Sequence, residues 1–126
     1  MVSFSRSKSA DAGRAASGSR AEELAAQFLA ARGLAILARN FRTRYGEIDV
    51  IARDGGTLVF VEVRLRRSRA FGGAASSITA AKRGRLRAAA SIYLAQLGTE
   101  PPCRFDALLL DDVASERIEW QRDVIS

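Results

Sequence analysis

The sequence predicts an α/β protein, a mixed central sheet flanked by helices. Three observations predict it. Apolar spacing runs in the order helix, three strands, helix, strand, so helical and strand periods share one short chain. The segment "LVFVEVR" is apolar on both faces, with Leu58 and Phe60 on one side and Val59, Val61 and Val63 on the other, as a strand covered above and below must be. The triplet "DGG" joins two such runs as a tight turn does.

The elements follow in order. Residues 1–18, "MVSFSRSKSADAGRAASG", mix Ser, Ala, Gly and scattered charge without a period and read as a flexible tail, leaving 19–126 as a single domain. From Ser19, "SRAEELAAQFLAARG" repeats Leu24, Phe28 and Ala31 at helical spacing, and Gly33 is placed to end the helix. "LAILARNFRTR" reads as a first strand, "GEIDVIARD" as a second and "TLVFVEVRL" as a third. The glycine-containing "RRSRAFGGAASS" is a loop. "ITAAKRGRLRAAASIYLAQLG" is a long helix with Leu86, Ala89 or Ala90, Tyr93 and Leu97 inward, weakened by Gly84 and ended at Gly98. After two prolines, "CRFDALLL" gives a further strand and "RIEWQRDVI" a short last one.

Composition narrows the chemistry. Hydrophobic residues make up 48% of the 126, enough for one packed core. No apolar stretch reaches the ~18–20 residues of a membrane span, and the start lacks an apolar signal segment, so a cytoplasmic location without membrane insertion is expected. Cys103 is the only cysteine and histidine is absent, which removes disulfides, cysteine zinc sites, histidine-ligated metals and histidine-activated nucleophiles. Catalysis is left to carboxylates, lysine, arginine, hydroxyls and a hard cation bound by oxygen. The net charge of +6 points to an anionic partner, nucleic acid ahead of an anionic membrane surface.

Acidic residues on the strands give the site. Residues two apart on a strand share a face, so Glu62 pairs in direction with Arg64, and Glu47 with Asp49. The tight turn makes the second and third strands antiparallel, which brings Asp49 and Glu62 together if their faces match. Two carboxylates held close must protonate, find a cation or bind a metal. Mg²⁺ or Mn²⁺ suits such oxygen ligands and lowers the pKa of a bound water. The competing reading is that each acid pairs with an arginine and only holds the sheet together.

These residues carry a resemblance. "GEIDVIARDGGTLVFVEVR", "FGGAASSITAAKRGRL" and "CRFDALLL" resemble the YraN family of small bacterial proteins over about 18–120. The resemblance implies a restriction-endonuclease-like fold, related to archaeal Holliday-junction resolvases, and a PD-(D/E)xK nuclease site. Its acids fall on Asp49 and Glu62, with a helical acid on Glu22, so Asp49, Glu62 and Glu22 are the implied ligands of Mg²⁺ or Mn²⁺. Arg64 occupies the lysine position. Arginine stays protonated and serves as a clamp for the scissile phosphate, whereas lysine can orient or deprotonate a water.

Two residues bear on this from their spacing. Glu22 neighbours Ala25, Ala26 and Leu29 beside the apolar stripe, while Glu23 neighbours Gln27 on the polar side. Lys82 lies one turn before Leu86 on the inward stripe of the long helix, where it either reaches the carboxylates in place of the missing lysine or extends into water.

From Arg64 to Arg87 there are eight basic residues and no acid: Arg64, Arg66, Arg67, Arg69, Lys82, Arg83, Arg85 and Arg87. Such a run suits phosphate contacts, which give salt-dependent affinity without base reading. The expected partner is nucleic acid, DNA before RNA, with branched forms implied only by the resolvase resemblance; a homodimer stays open. On the next strand, Phe105 reads as core and Asp106 as the structural partner of an arginine. Three functions remain: a Mg²⁺- or Mn²⁺-dependent endonuclease, a non-catalytic nucleic-acid-binding module of the same fold, and a basic docking protein.

Overall fold

A computed structural model describes residues 12–65, 79–111 and 117–125. Its elements run α1 (Ala12–Ala31), β1 (Ala35–Arg42), β2 (Glu47–Asp54), β3 (Thr57–Leu65), α2 (Ala80–Leu97), β4 (Cys103–Leu110) and β5 (Ile118–Gln121). The strands form one sheet in the order β1-β2-β3-β4-β5. Only β3 and β4 pair in parallel, through the α2 crossover; the other neighbours are antiparallel. The protein is therefore α/β with a mixed sheet, an arrangement consistent with the restriction-endonuclease-like architecture.

β3 is central, as its two apolar faces require. On one face, Val59 and Val61 join Val50, Ala52, Leu108 and Leu110 under Ala21, Ala25 and Leu29 of α1. On the other, Leu58 and Phe60 join Ile48 and Ile51 under Leu86, Ala89 and Ala90 of α2. Both helical stripes differ in detail from the spacing-based reading. Ala31 is exposed because the buried stripe of α1 runs through Ala21, Ala25 and Leu29, and Leu97 is 44% exposed at the end of α2. α1 also starts at Ala12, ahead of Ser19, so part of the segment read as a tail is helical; its Ala content favours that extension.

Local chemistry fixes the ends. The Thr79 side chain accepts the Lys82 amide at 3.1 Å and caps α2, and Gly55 takes φ +63 in the β2–β3 turn. The β1–β2 turn is tied by Thr43, whose Oγ1 accepts from the Tyr45 and Gly46 amides at 3.0 Å. Gly46 then packs on α2: a Cβ there would lie 2.8 Å from the Arg85 carbonyl oxygen. Only glycine permits that approach.

Asp106 is fully buried on β4. It accepts from Arg104 Nε at 3.1 Å, Trp120 Nε1 at 2.9 Å and the Asp123 amide at 2.9 Å, so it anchors β5 to β4. Arg104 also donates to Asp54 at 3.1 Å. The arginine partner expected from spacing is thus Arg104, and Phe105 packs in the α2-side core. Asp106→Ala leaves Arg104 Nε–H, the Trp120 indole N–H and the Asp123 amide without their acceptor, and urea denaturation is expected to show a loss of roughly 3–5 kcal/mol; a loss below about 1 kcal/mol would show the network to be dispensable.

Candidate functional site

The site lies where β2 and β3 part. Their ladder runs from Asp54↔Thr57 to Val50↔Val61 and stops. At the next rung the Asp49 carboxylate, not a backbone carbonyl, accepts the Val63 amide, at 2.8 Å. A strand N–H points along the sheet plane. Asp49 is therefore inserted between two strands, and its carboxylate can meet groups from both sides of the sheet.

Asn40 explains how. It takes a left-handed backbone conformation, φ +55, which asparagine tolerates better than most residues. The pairs Arg39↔Val50 and Phe41↔Ile48 place it opposite Asp49. Across this rung the alternation breaks on both strands: Ala38 and Phe41, and likewise Ile48 and Ile51, all pack on the α2 side. The strict two-residue period is interrupted at this rung.

Three carboxylates then converge. Glu22 from α1, Glu47 and Asp49 each offer an oxygen within 4.8 Å of the others. Glu22 is half-buried, hydrogen-bonded by the Asn40 side chain, and its pKa is raised by burial and by the Glu47 charge. Burial first, then the charge of Glu62, pushes Asp49 up to about 8. Glu23 instead pairs with Arg20 at 3.2 Å in solvent, so the helix orients these adjacent glutamates as the spacing suggests.

Glu62 stands beside this group rather than in it. It is 6% exposed and bonded to Lys82, with Nζ 2.9 Å from Oε2. Arg64 Nε lies 3.5 Å from the same oxygen, in ion-pair range but without a hydrogen bond. The lysine of α2 thus reaches the carboxylates from a different element than the motif position. A cleft of about 220 Å³ is lined by Glu47, Asp49, Glu62, Lys82, Arg85 and Leu86.

Of the implied metal ligands, Glu22 and Asp49 meet, while Glu62 is held by cations at their edge. Glu47 and Asn40 complete the surroundings. Glu47 was legible as the acid two residues before Asp49; the role of Asn40 left no signal beyond a poor strand former in a strand. The donor set is all carboxylate oxygen, which fits Mg²⁺ or Mn²⁺. Arg85 and Arg87 are exposed on α2 and Arg83 is half-buried, whereas Arg66, Arg67 and Arg69 lie outside the described residues. Among the described residues no helix is long and apolar enough to cross a membrane.

Residues 21–110 match the uncharacterised protein family UPF0102. The chain is 54% identical over 106 residues to a UPF0102 protein of Nitrosospira multiformis, covering 84% of this chain and 89% of that one. It is 53% identical over 116 residues to one from Ralstonia nicotianae, covering 88% and 87%. Over 92 residues it is 58% identical to one from Symbiobacterium thermophilum, covering 72% and 78%.

The raised pKa of Asp49 makes stability pH-dependent. The folded protein keeps a proton that the unfolded chain releases, from the ordinary 3.8 up to about 8. The stability that goes with this proton is complete below about pH 4 and is lost as the pH rises through about 8. Asp49→Asn keeps an acceptor for the Val63 amide and removes the charge. In metal-free buffer its thermal midpoint should equal that of wild type near pH 4 and exceed it near pH 8; a difference independent of pH would contradict the assignment.

Proposed function

The chain belongs to the UPF0102 family, the family its YraN-like motifs suggest, and from that premise and the site geometry we propose that it binds nucleic acid and hydrolyses phosphodiester bonds with Mg²⁺ or Mn²⁺. The observation that carries this reading is Asp49. A carboxylate set between two strands, crowded by other acids and pushed to about 8, is a poor structural element but a good cation ligand. Asp49 and Glu22 would hold the ion, with Glu47 or Glu62 completing the set. When bound, such an ion would supply a water of lowered pKa and offset charge on a phosphate oxygen.

The chain's own groups do the rest. Lys82 sits on Glu62, where its ammonium can orient the attacking water and balance the charge that develops on phosphate. This assigns to α2 the work of the missing motif lysine. Arg64 is too weak an acid to exchange protons and acts as a fixed positive clamp. Arg85 at the cleft wall, with Arg83 and Arg87 on the same helix, draws in the phosphate backbone. Hydrolysis exchanges one P–O ester bond for a bond to the water oxygen and leaves a phosphomonoester and a hydroxyl.

A second reading is favoured by one contact: with Glu62 already held by Lys82 and near Arg64, the same surface serves as a binding module without turnover. Calorimetric titration with Mn²⁺, alone and with DNA bound, separates the two. The nuclease reading expects binding that Asp49→Asn abolishes, and cleavage of linear, nicked or branched DNA that Lys82→Met slows by roughly 10²-fold while Mn²⁺ binding persists. No Mn²⁺ binding in either state leaves only the module, and salt-sensitive DNA affinity lost on neutralising Arg83, Arg85 and Arg87 would confirm it.

A further inference from the structure

The turn between β1 and β2 carries Tyr45, 52% exposed and two residues before Glu47 of the carboxylate cleft. The other large exposed apolar side chains among the described residues, Leu37 and Leu97, are aliphatic. Most aromatic rings described are accounted for by packing. Phe41 and Phe60 meet Tyr93 edge-on, Phe60 stacks on Phe105, and Phe28 meets Trp120. Tyr45 has no ring partner among the described residues, and the Arg44 guanidinium lies over it, 5.4 Å from the ring centroid.

The ring is exposed but its backbone is fixed. Thr43 Oγ1 accepts from the Tyr45 and Gly46 amides, and the Thr43 amide donates to the Gly46 carbonyl at 2.8 Å. Gly46 rests on the α2 backbone at Arg85, a residue of the cleft wall, and Glu47 of the cleft follows at once in the chain. A phosphodiester in the cleft would therefore have Arg85 beside it and, next along the chain from Gly46, an aromatic residue whose backbone is preset. Exposed aromatic residues beside cations are how proteins hold unstacked bases, since every base presents a π-face and the ring loses little entropy on binding.

We propose that Tyr45, with Arg44, is a stacking platform for an unpaired nucleobase next to the cleft, so that the preferred substrate is single-stranded or locally opened nucleic acid. The inference rests on the nucleic-acid reading above and specifies its substrate class. A paired base in an intact duplex keeps its faces against its neighbours and cannot use the platform without unstacking.

Fluorescence anisotropy at low salt tests it with labelled oligothymidylate, an abasic strand of equal phosphate count, and a duplex. Wild type should bind oligothymidylate more tightly than the abasic strand. Tyr45→Ala should remove that preference by weakening oligothymidylate binding about 5- to 150-fold, leave the abasic strand unchanged, and be rescued by Tyr45→Phe. If wild type binds the strands and the duplex but Tyr45→Ala changes nothing, or weakens all three alike, the platform is refuted while nucleic-acid binding stands. If wild type binds none of them, both readings fall.

Discussion

Repulsion among crowded, partly buried carboxylates is the constraint around which this fold is arranged. Glu22, Glu47, Asp49 and Glu62 come from three elements and gather where two strands separate. Such crowding opposes folding unless cations offset it. The chain offsets part: Lys82 and Arg64 lie on Glu62, and Arg42 lies 3.5 Å from Glu47 in solvent. Among the described residues neither Glu22 nor Asp49 has an ion-pair partner; Asn40 bonds Glu22, and Asp49 keeps its proton. That incomplete neutralisation separates this cluster from the Asp106 network on β4, where a guanidinium, an indole and a backbone amide satisfy the acid fully. Asp106 is satisfied wholly by the protein's own donors; Asp49 keeps its proton instead.

The geometry depends on a single backbone irregularity. Asn40 in its left-handed conformation turns β1 and its partner out of simple alternation, which frees the Asp49 carboxylate to enter the gap beside Val63. The same side chain bonds Glu22 across from the sheet. An ideal pair of strands would have put Asp49 on one face and Glu22 on the opposite one, without a shared space. Strain of this kind costs of the order of 1–3 kcal/mol and persists where the surroundings enforce it.

Much of this was legible in the sequence. The β2–β3 hairpin followed from "DGG" between apolar runs, the central place of β3 from its two apolar faces, and the orientation of Glu22 over Glu23 from helical spacing. Lys82 was placed on the inward stripe by the same arithmetic. What escaped was whatever depends on non-local contacts. Nothing in "ARNFR" announces a reversed φ, and alternation alone does not set the Asp49 carboxylate between two strands. The burial of Glu62 by Lys82 needs α2 to return over the sheet, which spacing allows but does not dictate. The start of α1 moved because alanine extends a helix where composition suggests a loose segment.

The close approach of Gly46 to Arg85 bears on how the cleft can move. Backbone meets backbone there, and backbone atoms have no rotamers with which to give way. The jaw carrying Glu47 and the jaw carrying Arg85 and Lys82 are consequently spaced by a fixed strut. Any change in the opening falls to the long flexible side chains, so the cleft behaves as a gauge of set width.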